Sequence, residues 1–528
     1  MILAGALAKA ALPEMQRFNP MRNLGTTSLA QGGIVRSGTL ALSMPLSGPR
    51  ASTLPVHRPN IPGMIWCQVV LAALPLVAWV LFKDGVGDAD SLVQLWCVAL
   101  TLQPIWMIYS WKRMGGEVFS PYTIFAVAVF LFNAGQAVLE VLGLNTLGLL
   151  GRKVPESILA ETVLLVFYGL SSMHFGALIS AVTKSRGRMF ARFHVPPSTF
   201  RQIGVALFVV SVVPSIMVWR QAVNLVVEGG YGAIYTSDRA TGIGSAPLIL
   251  SGFLIPSAFL LLAGGRSKRT IRRAAFTIIA CYVLASMFVG FRGQAVAVLV
   301  AFLWLWHQTI RKIPITAVLA LLAGLGVFVL PLVGVIRTAS GVDRMSVSTV
   351  SSAYSQIQNP AVSILYDVGG TMLAPAYTLE LVPSQRPYDL GLSYAYAGLA
   401  FFPNLFWEVH PTSERALSTW LVNTAEPQRA ALHGGLGYSI IAEAYLNFGF
   451  AGSALPMALT GWVLGRMSKW SEAGRATDIT CFVAIALASL ILWSRGESAE
   501  VVRGVVWYAA IPYFIVTLWQ RPRARLPM

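Results

Sequence analysis

Charged residues are scarce in this 528-residue chain: Asp, Glu, Lys and Arg together make up 12% of it, against roughly 25% in soluble domains. Apolar residues make up 55%, and they occur in blocks of about 17 to 25 residues, the length that crosses a hydrocarbon core as a helix. This composition excludes a soluble protein, because so much apolar surface needs lipid. Barrel strands would be about half as long and would alternate in polarity, so the blocks predict an all-α, polytopic integral membrane protein.

Cysteine is also rare, and several functional motifs are missing. Each of the four cysteines lies alone inside an apolar block without metal-ligand or redox spacing, so we interpret them as buried apolar residues: Cys67, Cys97, Cys281 and Cys481. The sequence has no phosphate-binding P-loop, no HExxH zinc motif and no GxSxG nucleophile turn. ATP-driven transport and hydrolase chemistry therefore have no support.

The formal charge of +17 comes from short basic clusters between the apolar blocks, which is the positive-inside pattern and not a nucleic-acid-binding face. The basic clusters fall in every second loop, which predicts that these loops and both termini are cytoplasmic. Twelve transmembrane helices are predicted, at residues 64–82, 91–110, 119–142, 157–182, 202–218, 246–264, 274–290, 294–309, 315–335, 450–465, 477–494 and 503–519.

The chain divides into a membrane domain and two tails. Residues 1–60 hold no block long enough to span and are predicted to be a disordered cytoplasmic tail. The membrane domain covers 61–520, and 521–528 form a basic cytoplasmic C-terminal tail. Between the ninth and tenth spans, 337–449 is predicted to be one large outward-facing loop, a length that usually indicates function. Its segment 391–407 is apolar and aromatic enough to lie at the membrane interface.

Arginine persists on the outward side, where the orientation rule depletes basic residues. Arg292 lies in a tight turn between two spans, Arg337 and Arg495 end spans, and Arg503 begins the last one. Arginine presents a fork of donors that matches phosphate oxygens, so this group suits a lipid-linked phosphate. The alternative is that each arginine only reaches the interface or pairs with a neighbouring acid.

The end of the long loop, HGGLGYSIIAEAYLNFG at 433–449, carries polar residues in a helical pattern. A helix from about 438 would place Ser439, Glu443 and Asn447 on one face, where they could line a polar cavity and handle a sugar hydroxyl. His433 lies just upstream among glycines, where the backbone can approach a ligand. Alternatively, Glu443 is a structural partner of an outer arginine and His433 is an ordinary loop residue.

With these segments the chain resembles the bacterial O-antigen or oligosaccharide repeat-unit polymerases of the Wzy type. The likeness covers about 64 to 520, mainly as topology, and the third of its stretches is the specific one: VGFRGQAVAVLV (289–300), GLSYAYAGLAFFP (391–403) and GLGYSIIAEAYLNFGFAG (435–452). The resemblance implies a GT-C-like glycosyltransferase of the bacterial inner membrane that works on the periplasmic face. It would move a growing glycan from undecaprenyl pyrophosphate onto a lipid-linked repeat unit, without a metal or another cofactor.

The resemblance also implies roles for particular residues. Arg292 and Glu443 would be catalytic, and the pyrophosphates would be held by Arg292, Arg337, Arg495 and Arg503. Further substrate contacts would come from His433, Tyr394, Tyr438, Ser439, Tyr445 and Asn447. The implied partners are undecaprenyl-pyrophosphate-linked glycans, the lipid bilayer, a repeat-unit flippase and a chain-length regulator, with no nucleic acid.

Two alternative functions and one alternative metal-binding interpretation stay open. An O-antigen ligase-like transferase would use the same donor, and a polysaccharide or lipid transporter would bind the polyanion without chemistry. Such a transporter needs polar residues deep in several spans, and Glu161 and His174 are the main ones present. Asp88 and Asp90 have the spacing of the acidic pair in some metal-dependent glycosyltransferases, but they fit an ordinary acidic loop equally well, and no metal site is predicted.

Overall fold

The computed structural model describes residues 60–183, 195–236, 242–336, 346–355, 357, 359–403, 407, 410–472 and 477–520. The chain separates into Met1–Arg58 and Pro59–Met528, and the described residues all belong to the second unit. The predicted tails 1–60 and 521–528, except Asn60, and the predicted phosphate ligand Arg337 lie outside these residues.

Every regular element among the described residues is a helix, which confirms the all-α prediction. The longer helices are α1 (Ile61–Lys83), α2 (Ala89–Arg113), α3 (Pro121–Val141), α4 (Glu156–Val182), α5 (Pro197–Gly229), α6 (Ala246–Gly264), α7 (Arg269–Val289), α8 (Arg292–Thr309), α9 (Ile315–Gly334), α10 (Val347–Ser355), α11 (Pro360–Gly369), α12 (Leu373–Leu381), α13 (Leu392–Leu399), α14 (Leu417–Ala425), α15 (Ile440–Gly452), α16 (Ala454–Glu472), α17 (Thr477–Trp493) and α18 (Ser498–Trp519). Single helical turns lie at Leu149–Arg152, Ala233–Thr236, Gly242–Ser245, Gly370–Met372, Pro411–Glu414 and Pro427–Ala431.

All twelve predicted spans fall on helices, but fewer of these helices meet the length and apolarity of a membrane span. Within the described part of the chain, nine do: α1 to α7, α9 and α18. A tenth is added if α15 and α16, which meet at a bend of 119°, form one broken span. The predicted spans 294–309 and 477–494 correspond to α8 and α17, which are not among the nine. An integral membrane protein is therefore confirmed, while the count of twelve stays a prediction.

Helix α4 is the centre of the bundle. In the most apolar 18-residue stretch of α4, 89% of the residues are buried, whereas in α1 and α9, at the periphery, 11% are. α4 packs closely against α16, since a Cβ atom at Gly176 would overlap the carbonyl oxygen of Ala458, and one at Gly461 would overlap that of Met173. Small residues at such a seam let two backbones approach, which fixes the start of α16 and the helix that precedes it.

Helix α15 begins at a cap and ends at a glycine. The Ser439 hydroxyl accepts a hydrogen bond from the Ile441 amide at 3.1 Å, as a helix N-cap does. At the other end Gly449 has φ +69°, a left-handed conformation that glycine adopts without strain, and the chain then turns into α16. Glu443 and Asn447 consequently lie on a short helix that is set at an angle to the span behind it.

Hydrogen bonds of the Asn133 side chain, on α3, link the start of α15 to the turn between α17 and α18. Its side chain accepts a hydrogen bond from the Ser439 hydroxyl and donates one to the Ser494 carbonyl at 3.0 Å. The Tyr438 amide donates to the Arg495 carbonyl at 3.3 Å. These bonds bring the end of the long loop and the 494–497 turn to the same end of the bundle.

The predicted cytoplasmic loops come together elsewhere in the fold. Glu117, just after α2, receives hydrogen bonds from Gln308 at 2.6 Å and from Lys312 at 3.0 Å. Arg466 of α16 donates to the Thr183 carbonyl at 3.1 Å, at the end of α4. Of the cysteines, Cys97 and Cys481 are buried as predicted, but Cys67 and Cys281 are exposed, because they lie on the outer faces of the peripheral helices α1 and α7.

Candidate functional site

The Glu443 carboxylate is buried and fully engaged. Its residue is 1% exposed. One oxygen accepts from the Ser393 hydroxyl at 2.9 Å, and the other accepts from the Ser498 amide and hydroxyl, both at 2.8 Å. Ser498 is the first residue of α18, whose free N-terminal amides favour a negative charge there. Glu443 thus joins three helices: α13, α15 and α18.

Asn447 lies on the same face of α15 as Glu443, as the spacing predicts. Its amide nitrogen donates to the Ser393 hydroxyl and to the Glu443 carbonyl, both at 2.7 Å, and its oxygen accepts from the Gly391 amide at 2.8 Å. Both amide hydrogens and one acceptor position are therefore used within the protein. Asn447 holds the segment before α13 onto α15, whereas Ser439 is at the helix cap and not on that face.

A partly enclosed cavity of about 60 Å³ lies beside Glu443. Three carboxylates line it: those of Glu443 and Glu497 form no ion pair among the described residues, whereas that of Asp389 is paired with Arg386. The remaining lining comes from Leu392, Ser393, Tyr396, Ala397, Thr412, Arg415, Leu417 and Ala499. This volume is well below the roughly 300 Å³ at which small-molecule pockets begin. A sugar could enter only if the surrounding segments move apart.

The two arginines of the cavity differ in their partners. Arg386 forms an ion pair with Asp389, with nitrogen–oxygen distances of 2.8 and 3.0 Å, and its guanidinium lies 4.5 Å from the ring centre of Trp420. Arg415 is exposed, and its guanidinium lies 4.3 Å from the ring centre of Tyr396. Among the described residues Arg415 has no carboxylate within ion-pair distance. Its positive charge is thus available to a ligand.

Glu497, in the turn before α18, also lines the cavity. It is 6% exposed, and one of its oxygens accepts from the Leu417 amide at 2.7 Å. Burial, together with the negative charges of Glu500 and Glu443, raises the pKa of Glu497 from 4.5 to about 8, although the Leu417 amide opposes the shift. This environment therefore favours the neutral carboxyl more than water does.

Three of the four predicted phosphate-binding arginines lie close together. Arg292 forms an ion pair with Asp367 and donates to the Leu330 carbonyl at 3.2 Å. Arg495 is exposed, and it lies within electrostatic range of Arg292, Asp367 and Glu500. We call Arg292, Arg495 and Arg503 the arginine cluster.

Arg503 is the member of the arginine cluster that contacts a residue of the cavity wall. It is exposed on α18, interacts electrostatically with Glu500, and donates to the Thr412 hydroxyl at 3.3 Å. Thr412 lines the cavity, and Arg495 is two residues before Glu497. The cationic groups and the carboxylates of Glu443 and Glu497 are consequently neighbours.

The tyrosines and the histidine singled out from the sequence have different surroundings. Tyr438 and Tyr445 are buried and bond within the protein, to Thr378 at 3.3 Å and to the Val382 carbonyl at 3.0 Å. Tyr394 stacks against Phe448 with ring centres 6.3 Å apart, and its buried hydroxyl has no hydrogen-bond partner among the residues that the structure describes. His433 is exposed, in a left-handed conformation with φ +56°.

Sequence reasoning missed most of the cavity. Glu497 and Ser498 are in the same short turn as the predicted Arg495, and the two acids of RGESAE were the available signal. Arg386 and Arg415 lie far from any span end, so a search confined to span ends could not find them. Asp88, considered as a metal ligand, instead caps α2 by accepting from the Ser91 amide at 3.1 Å. Within the described ranges no three His, Cys, Asp or Glu side chains are grouped to hold a metal ion.

Comparison with known proteins identifies the family. The family model described as O-antigen polysaccharide polymerase Wzy matches residues 64–521, which is most of the chain. No curated protein and no solved structure matches the chain. The match covers α1 through α18, including both the arginine cluster and the cavity. The chain is therefore an integral membrane member of the O-antigen polysaccharide polymerase Wzy family.

Proposed function

We propose that this protein transfers a growing glycan from undecaprenyl pyrophosphate to a sugar hydroxyl of a second lipid-linked repeat unit, so that the chain grows by one unit. The observation that carries the proposal is the position of the arginine cluster beside the cavity that the carboxylates of Glu443 and Glu497 line. Such an arrangement suits a reaction in which a pyrophosphate leaves while a hydroxyl attacks.

The arginine cluster would bind the pyrophosphate of the donor. Guanidinium groups donate paired hydrogen bonds to phosphate oxygens and stay charged at any physiological pH. As the bond between the anomeric carbon and the pyrophosphate breaks, negative charge grows on the leaving oxygen, and fixed cations nearby stabilise it. Asp367 holds Arg292 in place, whereas the exposed Arg495 is free to reach a ligand. Arg337 remains a candidate ligand of a pyrophosphate by its position in the sequence alone.

The cavity would bind the acceptor sugar. Carboxylates and hydroxyls are the groups that hold a sugar hydroxyl, and the Tyr396 ring, against which Arg415 lies, adds aromatic surface to the cavity wall. Since the cavity is smaller than a sugar, α13 must move outward when the acceptor enters. The unpartnered Tyr394 hydroxyl would gain a hydrogen bond in that open state. Tyr438, Tyr445, Ser439 and Asn447 would shape the site from behind, and His433 would contact the glycan at the surface.

The reaction would take place on the periplasmic face of the bacterial inner membrane, with both termini in the cytoplasm. Support comes from the order of the helices along the chain. Lys312 follows the C-terminal end of α8 and Arg466 precedes α17, whereas the 494–497 turn follows the C-terminal end of α17. A reporter enzyme that works only in the periplasm, fused after Gly87, should be active, and the same fusion after Arg113 should be inactive. The reverse result would place the site on the cytoplasmic face. Membrane fractionation would test the inner-membrane location.

A polymerase of this kind needs substrates on the periplasmic face. A flippase would have to supply the lipid-linked repeat units, and a chain-length regulator would be a second partner in the bilayer. Metal ions are not assigned a role, because the arginines supply the positive charge that pyrophosphate departure needs.

The test uses cells that lack this chain, complemented with wild type, Arg292→Ala, Arg495→Ala or the control Arg311→Ala. Arg311 is exposed among the basic loops, so its loss should have no effect. Wild type and the control should restore a ladder of polysaccharide lengths on a gel, and the two site variants, at normal protein level, should leave single repeat units. Loss of all surface glycan with lipid-linked polymer inside the envelope would contradict the polymerase and favour a ligase or transporter.

A further inference from the structure

Glu443 and Glu497, which both line the cavity, differ in how many acceptor positions of their carboxylate oxygens are free. Glu443 accepts three hydrogen bonds through both oxygens, from Ser393 and Ser498. Glu497 accepts one bond, from the Leu417 amide, through a single oxygen. Its other oxygen has no hydrogen-bond partner among the described residues, and the side chain lines the cavity.

A group that removes a proton from a substrate needs a free lone pair within reach of that proton. Glu443 keeps a single unused acceptor position, on the oxygen that accepts from Ser393, because its other oxygen already accepts two hydrogen bonds. Its three bonds also hold the helices that form the cavity wall. Glu497 keeps both acceptor positions of one oxygen, because the Leu417 amide donates to the other oxygen.

The charged and titratable groups around Glu497 come from every segment packed against it. Glu443 faces it from α15 and Glu500 lies on its own helix. Arg386 and Asp389 line the cavity from the segment before α13, Tyr396 from α13, and Arg415 from the turn before α14. Arg386 is paired with Asp389, whereas Arg415 has no carboxylate within ion-pair distance among the described residues. This environment is crowded with negative charge and tolerates a neutral carboxyl.

We infer that Glu497 accepts the proton of the attacking sugar hydroxyl, and that Glu443 is a positioning residue that holds Ser393 and Ser498. The inference rests on the proposed glycosyl transfer. In the step, the acceptor oxygen forms a bond to the anomeric carbon of the donor sugar and its proton moves to the Glu497 carboxylate. The bond from that carbon to the pyrophosphate breaks, and undecaprenyl pyrophosphate leaves with the electron pair. No oxidant, reductant or further reactant is needed.

The acid–base properties of the site agree with this assignment. A base works best when its pKa is near the working pH, and burial raises the pKa of Glu497 to about 8. The fraction of Glu497 that is ionised, and with it the rate of transfer, should therefore rise as the pH increases toward this value.

The experiment measures the rate of chain extension against pH, with the full-length protein in liposomes and undecaprenyl-pyrophosphate-linked repeat units as substrate. The wild-type rate should rise with pH, reach half of its maximum near pH 8 and level off roughly one pH unit higher. Glu497→Gln should lower kcat by about 100-fold or more, with KM and thermal stability nearly unchanged, because the glutamine carbonyl still accepts from Leu417. The residual activity should no longer rise with pH. Glu380→Gln, an exposed site on α12, is the matched control and should behave as wild type.

Glu443→Gln separates the two roles. A positioning residue should alter KM and stability while the rise of the rate with pH persists. The inference is overturned if Glu497→Gln keeps the wild-type pH profile, or if a stable Glu443→Gln protein loses kcat alone. Should Glu497→Gln fail to fold, Glu497→Asp keeps a carboxylate and must keep the pH-dependent rise at a lower rate; loss of that rise also overturns it. A wild-type protein that extends no chains at any pH would refute the proposed function itself.

Discussion

The Arg495 side chain is exposed at the turn between α17 and α18. Glu443, which accepts hydrogen bonds from Ser498 just after that turn, is 1% exposed and accepts three hydrogen bonds in total. In the arginine cluster, Arg495 and Arg503 are exposed, whereas the Arg292 side chain is 12% exposed and is paired with Asp367. The cavity wall is a connected set of buried polar groups. Exposed charges cost little to keep unpaired, while buried ones must be satisfied by the fold. Removing Arg495 should thus affect chemistry alone, and removing Glu443 should affect folding as well.

The largest expected effect on activity is that of Arg292→Ala combined with Arg495→Ala. Chain extension should fall by about 10² to 10³ or more, since fixed donors at a developing charge contribute that much singly. Any loss of thermal stability should come from Arg292, whose side chain is 12% exposed and paired with Asp367, because Arg495 is exposed. The rate of extension and the unfolding temperature are measured on the same preparation. The matched control is Arg113→Ala with Arg311→Ala, two exposed arginines of the basic loops; equal losses in both double variants would mean that only total charge matters.

The largest expected effect on stability is that of Glu443→Ala. The Ser393 hydroxyl and the Ser498 amide would lose their acceptor in a buried place, at a cost of about 3 kcal/mol. Unfolding in detergent measures this loss, and the exposed Glu380→Ala should change the free energy of unfolding by less than about 0.5 kcal/mol. A stable Glu443→Ala protein would show that the buried network does not support the cavity.

Arg415→Ala should give an intermediate effect. The guanidinium lies on Tyr396 and has no carboxylate partner among the described residues, so its loss should raise KM for the acceptor about tenfold, equivalent to about 1.4 kcal/mol. Stability should be unchanged. Kinetics with varied acceptor concentration measure KM. An unchanged KM together with a lowered unfolding temperature would instead assign Arg415 a packing role.

The last expected effect, which needs no substitution to be observed, is a pH dependence of stability due to Glu497. Its pKa is about 8 in the folded protein and 4.5 ordinarily, so between these pH values the unfolded chain loses a proton that the folded one keeps. The folded state is therefore favoured less as the pH rises from 4.5 toward 8. Glu497→Gln should flatten this part of the stability curve, measured as the unfolding temperature at pH 6 and pH 8.5. Parallel curves for the two proteins would contradict the raised pKa.

The contrast between the two regions also explains what could be predicted from the sequence. The spans and the short turn that holds Arg292 follow from the lengths of apolar blocks, a local property. The i, i+4 spacing of Glu443 and Asn447 likewise predicted their common face. Arg292, Arg495 and Arg503 could be grouped because the positive-inside rule makes outward basic residues unusual.

The cavity could not be predicted in the same way. It joins α13, α15 and α18, which are separated by about 50 residues each, and its formation depends on tertiary contacts such as those of Asn133. The roles of Ser393 and Ser498 have no local pattern, since a serine near a helix start is common. The bend between α15 and α16 depends on Gly449, whose conformation a single sequence does not reveal.

The most direct test of the central claim counts products. Purified wild-type protein in liposomes, given radiolabelled undecaprenyl-pyrophosphate-linked repeat units and no nucleotide sugar, should form polymer and release one undecaprenyl pyrophosphate for each new glycosidic bond. Arg292→Ala should do neither, while Arg311→Ala should match wild type. Polymer without release of undecaprenyl pyrophosphate, or normal extension by Arg292→Ala, would contradict the account.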